Sequence, residues 1–382
     1  MAPGTLPSDF DSIIQRQKSV FTELARGKGG QIVIMGTGVL GRAFAERLLH
    51  FPVAVKCFCD NNPAKHGSPL LGLPVLSVQE AVQRFNEDAV FVIAIFNSSA
   101  GQDQLAMLGC SRIITAAVCV RHFGPPLLPF QTFDLPTAIE KERKEVARCA
   151  TLWADDKSRA EYDKLLNWFL ATTQTTLKDH DPMTDLYFPP DLWKKNDLEH
   201  FVDCGAFDGD SMLFLINKND GKFSRFTAYE ADPINFKALQ ENMARQPSAV
   251  REKIRMVNAA VGASRSVVHF SESGTVGSTV AAAGLLPVDC LSLDDEFPDA
   301  APSYIKMDLE GYELEALAGA AKLMAAHPPI LAITSYHKIE HLWQIPLLIH
   351  HHQPAYRLYL RRYAEDCWES VCYAVPPGRQ IH

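Results

Sequence analysis

The feature that most constrains the fold is a unit used twice: a short apolar run, a glycine-bearing loop, then a helical pattern. It occurs first as QIVIMG, Gln31 to Gly36, followed by GRAFAERLLH, and again from Phe201 as FVDCG. Continuous apolar runs alternating with helical stretches mark strands buried on both faces, so each half is expected to build a parallel α/β sheet. In the first half VAVKCFCD ends at Asp60, AVFVIAIF covers 89–96 and RIITAAV covers 112–118. In the second half RFTAYE, IRMVNAAV, SVVHF, YIKMD and ILAITSY follow, then YRLYL and ESVCYAV, close enough to pair antiparallel.

A chain of 382 residues suits two domains. With 47% hydrophobic and 21% charged residues, each half can bury a core. The spacing predicts a leading helix over 11–27 and a Rossmann-like nucleotide-binding domain over 28–125, closed by GPPLLP. A helical connector over 130–198 and a second α/β domain over 199–382 follow. Trp153, Tyr162, Leu165, Trp168 and Phe169 give the connector an apolar face, which argues for packing rather than a solvated linker. The net charge of −8 argues against a nucleic-acid surface, which needs a basic face. The first residues lack the pattern of a signal peptide, and no run reaches the roughly 20 apolar residues of a membrane span. Nine scattered cysteines, Cys57 and Cys59 among them, complete no zinc site and suggest a reducing compartment. A cytoplasmic protein without nucleic-acid or membrane partners is expected; self-association is left open.

The two glycine loops differ in charge. Gly36-Thr37-Gly38-Val39-Leu40-Gly41-Arg42 is a complete G-x-G-x-x-G with no acid, and its glycines and helix start suit a pyrophosphate. Asp60, at the end of the next strand, suits ribose hydroxyls. Gly36, Gly38, Gly41 and Asp60 are therefore the candidates for a nucleotide or nucleotide-sugar site. The second loop, Asp203-Cys204-Gly205-Ala206-Phe207-Asp208-Gly209-Asp210, sets three carboxylates around two glycines. It repels a pyrophosphate and favours a cofactor with a cationic end, as in S-adenosylmethionine. Glu230 ends the next strand, where a carboxylate can hold both ribose hydroxyls.

These residues resemble the FkbM family of methyltransferases over roughly 200–376. The matching runs are VDCGAFDGDS, YEADPINFKALQEN, NAAVG, GSTV, CLSLDD and YIKMDLEGYELEALAGA, with SYHKIEHLWQIPLLI and the two last strands beyond them. The resemblance implies a class I methyltransferase fold with an antiparallel end, giving two Rossmann-like parallel-sheet domains joined by the connector. It also implies O-methylation of a sugar hydroxyl or similar small molecule. Carried over, Asp203, Gly205, Asp208, Gly209, Glu230 and Asn258 bind the cofactor, and Asp308, Glu310 and Gly311 sit at the transfer site. Phe207 departs from the Asn of many members, and Ala231 from their Pro. The first half is similar to the nucleotide-binding domain of some sugar-modifying enzymes, Gly72-Leu73-Pro74-Val75 included.

Methyl transfer needs alignment of acceptor, methyl and sulfur, and removal of the hydroxyl proton. Asp308 and Glu310 leave the strand YIKMD and can face one cleft; either can be the base. His337, after ILAITSY, offers a neutral imidazole as a second candidate. Lys306, inside the strand, needs a carboxylate partner. No metal is assigned: Asp308, Glu310 and His337 are too few ligands, and His350-His351-His352 reads as a solvated extended loop. Leu314, Leu317, Ala318, Ala321 and Met324 read as one core-facing stripe. Trp343, Tyr356, Tyr359 and Trp368 read as core, with sugar stacking as the alternative. Two rival readings stay open: a binding or scaffolding protein whose methyltransferase half is silent, and a nicotinamide-dependent oxidoreductase.

Overall fold

The computed structural model describes residues 6–26, 30–124, 136–171, 177–193, 199–218, 223–270, 286–298 and 302–380. The GSTV run, 277–280, and nearly all of GPPLLP lie outside them. The chain forms two compact units, each assembled from separated stretches. The first comprises Met1–Arg143, Asp163–Asp181 and Arg362–Trp368, and the second Lys144–Tyr162, Pro182–Arg361 and Glu369–His382.

The first unit holds β1 (Gln31–Met35), β2 (Ala54–Cys59), β3 (Val75–Leu76), β4 (Val90–Ile93) and β5 (Ile113–Thr115) in one parallel sheet ordered β3-β2-β1-β4-β5. β4 is apolar and buried throughout, and β1 is so after Gln31, as expected of strands covered on both faces. Cys57 and Cys59 face the core beside Val33, Met35, Phe91 and Ile93, and all nine cysteines are buried free thiols. The helix Phe10–Leu24, capped by Asp9, packs on the helix Ala116–Phe123, with the Phe21 ring 4.8 Å from that of Phe123. It thus belongs to this unit although it precedes residue 28.

The second unit holds β6 (His200–Cys204), β7 (Arg225–Tyr229), β8 (Ile254–Val257), β12 (Tyr304–Met307), β13 (Ile330–Thr334), β14 (Arg357–Arg362) and β15 (Ser370–Val375), in the order β14-β15-β13-β12-β6-β7-β8. β15 runs antiparallel to β13, while β6, β7, β8, β12 and β13 are mutually parallel. This is the α/β architecture with an antiparallel end expected above. A small sheet of β9 (Ala260–Val261), β10 (Ser266–Phe270) and β11 (Leu286–Leu291) is ordered β10-β11-β9.

The stretch 130–198 is divided between the units. In the second, buried Arg361 on β14 binds Asp155 Oδ2 at 2.6 Å and Asp191 Oδ2 at 2.8 Å, tying two parts of that stretch to the sheet edge. Two local readings need correction. The helical stripe after Gly311 is broken: helices Glu313–Ala318 and Ala321–Ala326 are separate, and Ala318 is exposed. A Cβ on Gly319 would lie 2.0 Å from the Gly262 carbonyl oxygen, so the backbone approaches closely there and the helical period restarts. His350, His351 and His352 end the helix His341–His352 rather than forming an extended loop.

Candidate active site

The site forms where the carboxyl ends of β6 and β12 meet. Their register sets Lys306 beside Asp203, which puts the two side chains on one face. Lys306 Nζ lies 2.9 Å from Asp203 Oδ1 and donates to the Gly205 carbonyl at 2.7 Å. Burial opposes the ammonium, but Asp203, Asp308 and Asp210 outweigh it and hold Lys306 above its ordinary range. Burial pushes the Asp203 carboxyl up to about 6, against the pull of Lys306. Asp203 Oδ2 has no hydrogen-bond donor among the described residues.

Beyond β6 the acidic loop turns through Gly205, at φ 82, where a Cβ would lie 1.9 Å from the Asp308 carbonyl oxygen. Phe207 takes φ 49, a conformation that Asn tolerates better than an aromatic residue. Its N–H donates to Glu230 Oε2 at 2.8 Å, while the Asp232 N–H donates to Oε1 at 2.8 Å. Each Glu230 oxygen keeps a lone pair, and burial pushes the carboxyl up to about 7. Gly209 packs against the helix Pro233–Ala244, where a Cβ would meet Leu239 at 2.8 Å. Asp208 holds that helix through its carbonyl, which accepts from Asn242 at 2.9 Å. Asn258 is exposed and donates to the Glu230 carbonyl at 2.8 Å, so it braces the end of β7.

At the end of β12 the chain turns sharply through Glu310, at φ 52, and Gly311, at φ 96. The turn is held from inside by Glu313, which is fully buried. Its Oε1 accepts from the N–H of Leu309 at 2.9 Å and of Gly311 at 3.3 Å, and from His337 Nδ1 at 2.8 Å. Its Oε2 lies 3.1 Å from His341 Nδ1. Burial alone would raise the Glu313 carboxyl; the two imidazoles hold it well below the usual range. His337 Nε2 lies 3.5 Å from both Asp308 Oδ1 and Glu310 Oε2. Burial would lower this imidazole, but Glu313, Glu310 and Asp308 push it up to about 10. The surroundings of His337 thus favour its imidazolium form, with Glu313 on one side and Asp308 and Glu310 on the other, where the sequence suggested a neutral base. Burial and the neighbouring acids push Glu310 up to about 8 and Glu369 up to about 7.

Asp308, Glu310, His337 and Lys306 are thus brought into one cluster with Asp203. Tyr187, Glu313 and Glu369 join them and were not legible in the sequence. The Tyr187 phenol donates to Asp308 Oδ2 at 2.8 Å, and Lys306 Nζ sits 5.2 Å from its ring centre. Its backbone, at φ 61, is clamped: its N–H donates to the Tyr373 hydroxyl at 3.0 Å and its carbonyl accepts from Tyr304. Asp308, Glu313 and His337 each offer a ligand atom within 4.8 Å of the others. The Glu313 oxygens already serve backbone amides and imidazoles, so this clustering is explained by the turn it holds.

In the first unit Gly36 and Gly38 form the turn from β1 into the helix Val39–Leu48, and Gly41 lies in the first turn of that helix. Asp60 is turned onto that loop, with Oδ2 accepting from Thr37 N at 3.2 Å and from the Thr37 hydroxyl, and lying 3.1 Å from Lys65 Nζ.

Residues 203–364 match the family model described as Methyltransferase FkbM domain. Over that stretch, less than half of its length, the chain is similar to FkbM methyltransferases. That match opens on Asp203 and includes Glu230, Asp308, Glu310, Glu313 and His337, while Tyr187 and Glu369 lie outside it. The solved structure of methyltransferase FkbM from Methylobacillus flagellatus KT is similar over 98% of this chain and 96% of that one, at 26% identity and a TM-score of 0.75. Precorrin-6y C5,15-methyltransferase from Geobacter metallireducens GS-15 is similar over 48% of this chain and 85% of that one, at 11% identity and a TM-score of 0.29. Aeropyrum pernix fibrillarin, solved with natively bound S-adenosyl-L-methionine, is similar over 47% and 66%, at 7% identity and a TM-score of 0.30. No curated protein matches the chain. No helix among the described residues is long and apolar enough to cross a membrane.

Proposed function

We propose that the second unit is an S-adenosylmethionine-dependent O-methyltransferase acting on a hydroxyl of a saccharide, a nucleotide-sugar or a related small metabolite. When bound, the cofactor supplies an electrophilic methyl group on a sulfonium. The residues fit such a group: the loop is acidic, Glu230 keeps lone pairs for ribose hydroxyls, and buried Asp203 Oδ2 lacks a donor.

The observation that carries the reading is the acid cluster at the end of β12. Glu310 is pushed up to about 8 and stands 3.5 Å from the His337 imidazole. A carboxylate with that affinity for protons can accept one from an acceptor hydroxyl, which an ordinary carboxylate does poorly. Asp308, fixed by the Tyr187 phenol, orients the hydroxyl. Glu313 fixes His337 and the turn, so both acids are positioned before the acceptor arrives. A silent binding domain is less favoured, because it gives no reason to gather these acids around one imidazole.

The test is incubation with S-adenosylmethionine and a panel of saccharides and nucleotide-sugars, with products read by mass spectrometry. O-methylated product is expected from the wild type and not from Glu310→Gln. Folded, cofactor-binding wild type that methylates no hydroxyl in the panel, but does methylate an amine or carbon, would refute O-transfer.

A further inference from the structure

We propose that the crevice of the first unit is filled in cis by the chain's own segment Arg362–Trp368, in the place where a dinucleotide would lie. The G-x-G-x-x-G loop then serves folding, and the internal ligand is an acidic, aromatic stretch of the same chain. All the residues involved belong to the first unit.

In a sheet ordered β3-β2-β1-β4-β5, ligands enter beyond the carboxyl ends of the strands, where the order reverses between β1 and β4. The cavity there is lined by Leu40, Ile95, Phe96 and Ser98, and also by Asp366 and Trp368. The Trp368 indole is only 6% exposed and meets the Phe96 ring edge-on, with centres 4.8 Å apart. The helix Ser98–Met107 starts at this crevice, and its N-cap, Asn97, makes no side-chain cap bond. Glu365 supplies one: its Oε2 accepts from the Ser99 N–H at 2.9 Å, and its Oε1 accepts from the Ser99 hydroxyl. A carboxylate thus occupies the positive end of the helix, the seat an anionic ligand would need. The segment is strapped down by a reciprocal pair, Leu177 N–H to Asp366 Oδ1 at 3.0 Å and Asp366 N–H to the Leu177 carbonyl at 3.1 Å.

The motif itself is largely explained without a nucleotide. A Cβ on Gly36 would lie 2.8 Å from the Ala94 carbonyl oxygen, and one on Gly41 would lie 2.0 Å from that of Gly36. Asp60 already serves Thr37, Lys65 and, through Oδ1, the Asn62 N–H at 2.9 Å. Only Gly38 faces open space, so a phosphate can approach it, but the second half of a dinucleotide meets Trp368.

Titration of the full chain with NADH, followed by nicotinamide fluorescence, tests the assignment. The wild type is expected to show no saturable binding, and Glu365→Ala/Trp368→Ala to gain it, with affinity at least about tenfold above any wild-type signal. Hydrogen exchange on Glu365→Ala alone gives an independent reading: the Ser99 amide should exchange about tenfold faster, with the helix Phe10–Leu24 unaffected. Saturable wild-type binding unchanged in the double variant, binding by neither protein, or unaltered Ser99 exchange would each overturn the proposal.

Discussion

Replacing Lys306 with Met is the sharpest perturbation of the second unit. The side chain keeps its bulk, but the ammonium 2.9 Å from Asp203 Oδ1 is lost, and both residues are almost wholly buried. Leaving one buried charge without its partner costs about 3–5 kcal/mol. Asp203 has an escape, because it can take a proton. Its carboxyl already stands at about 6 with Lys306 present, and loss of the ammonium raises it further. The unfolded carboxyl sits near ~3.9. Between those values the folded state binds more protons than the unfolded one, so stability falls as pH rises, by about 1.4 kcal/mol per unit. Lys306→Met should therefore be destabilised about 2–3 kcal/mol more at pH ~8 than at pH ~5.5. The double variant Lys306→Met/Asp203→Asn, which removes both charges, should recover most of the loss. Urea unfolding of the full chain at the two pH values measures this. An equal loss at both, or a double variant as unstable as the single, would refute a buried pair balanced by protonation.

Three further outcomes follow from the same geometry. Gly205→Ala should fail to fold its second unit, losing more than about 3 kcal/mol, because its Cβ would overlap the Asp308 carbonyl oxygen; thermal unfolding reads it. Tyr187→Phe deprives Asp308 Oδ2 of its phenol donor and should lower kcat about tenfold with the KM for cofactor unchanged, the mark of a positioning residue. Methyl transfer by the wild type should rise with pH through about 8, where Glu310 loses its proton, and a rate that is flat across that range would refute Glu310 as the base.

The strands and the two glycine loops were legible because buried parallel strands read as unbroken apolar runs, whereas their order in the sheets came only with the structure. The Lys306–Asp203 pair could be anticipated in kind, since a lysine inside such a run needs a carboxylate. Tyr187, Glu313 and Glu369 were not legible. Tyr187 comes from a stretch that carries no pattern of its own and Glu369 from the start of the run ESVCYAV, and both join the acids only through the tertiary fold. Glu313 was hidden in a helical pattern, although an acid placed just after Asp-Leu-Glu-Gly-Tyr and ahead of apolar helix positions was a usable signal. His337 was recognised, but its charge depends on three acids from other elements. Asp60 has the position of a ribose ligand, yet its nearest partner is Thr37, inside the very loop it was paired with. Spacing along a chain does not say where a carboxylate turns.

The central claim is that the acidic loop and Glu230 hold S-adenosylmethionine. Calorimetric titration of the full chain with that cofactor tests it most directly. One saturable site per chain is expected for the wild type, weakened at least about tenfold in Glu230→Gln, which keeps the shape but loses the charge. A folded wild type that takes up no S-adenosylmethionine, or a Glu230→Gln variant that binds it equally well, would contradict the account.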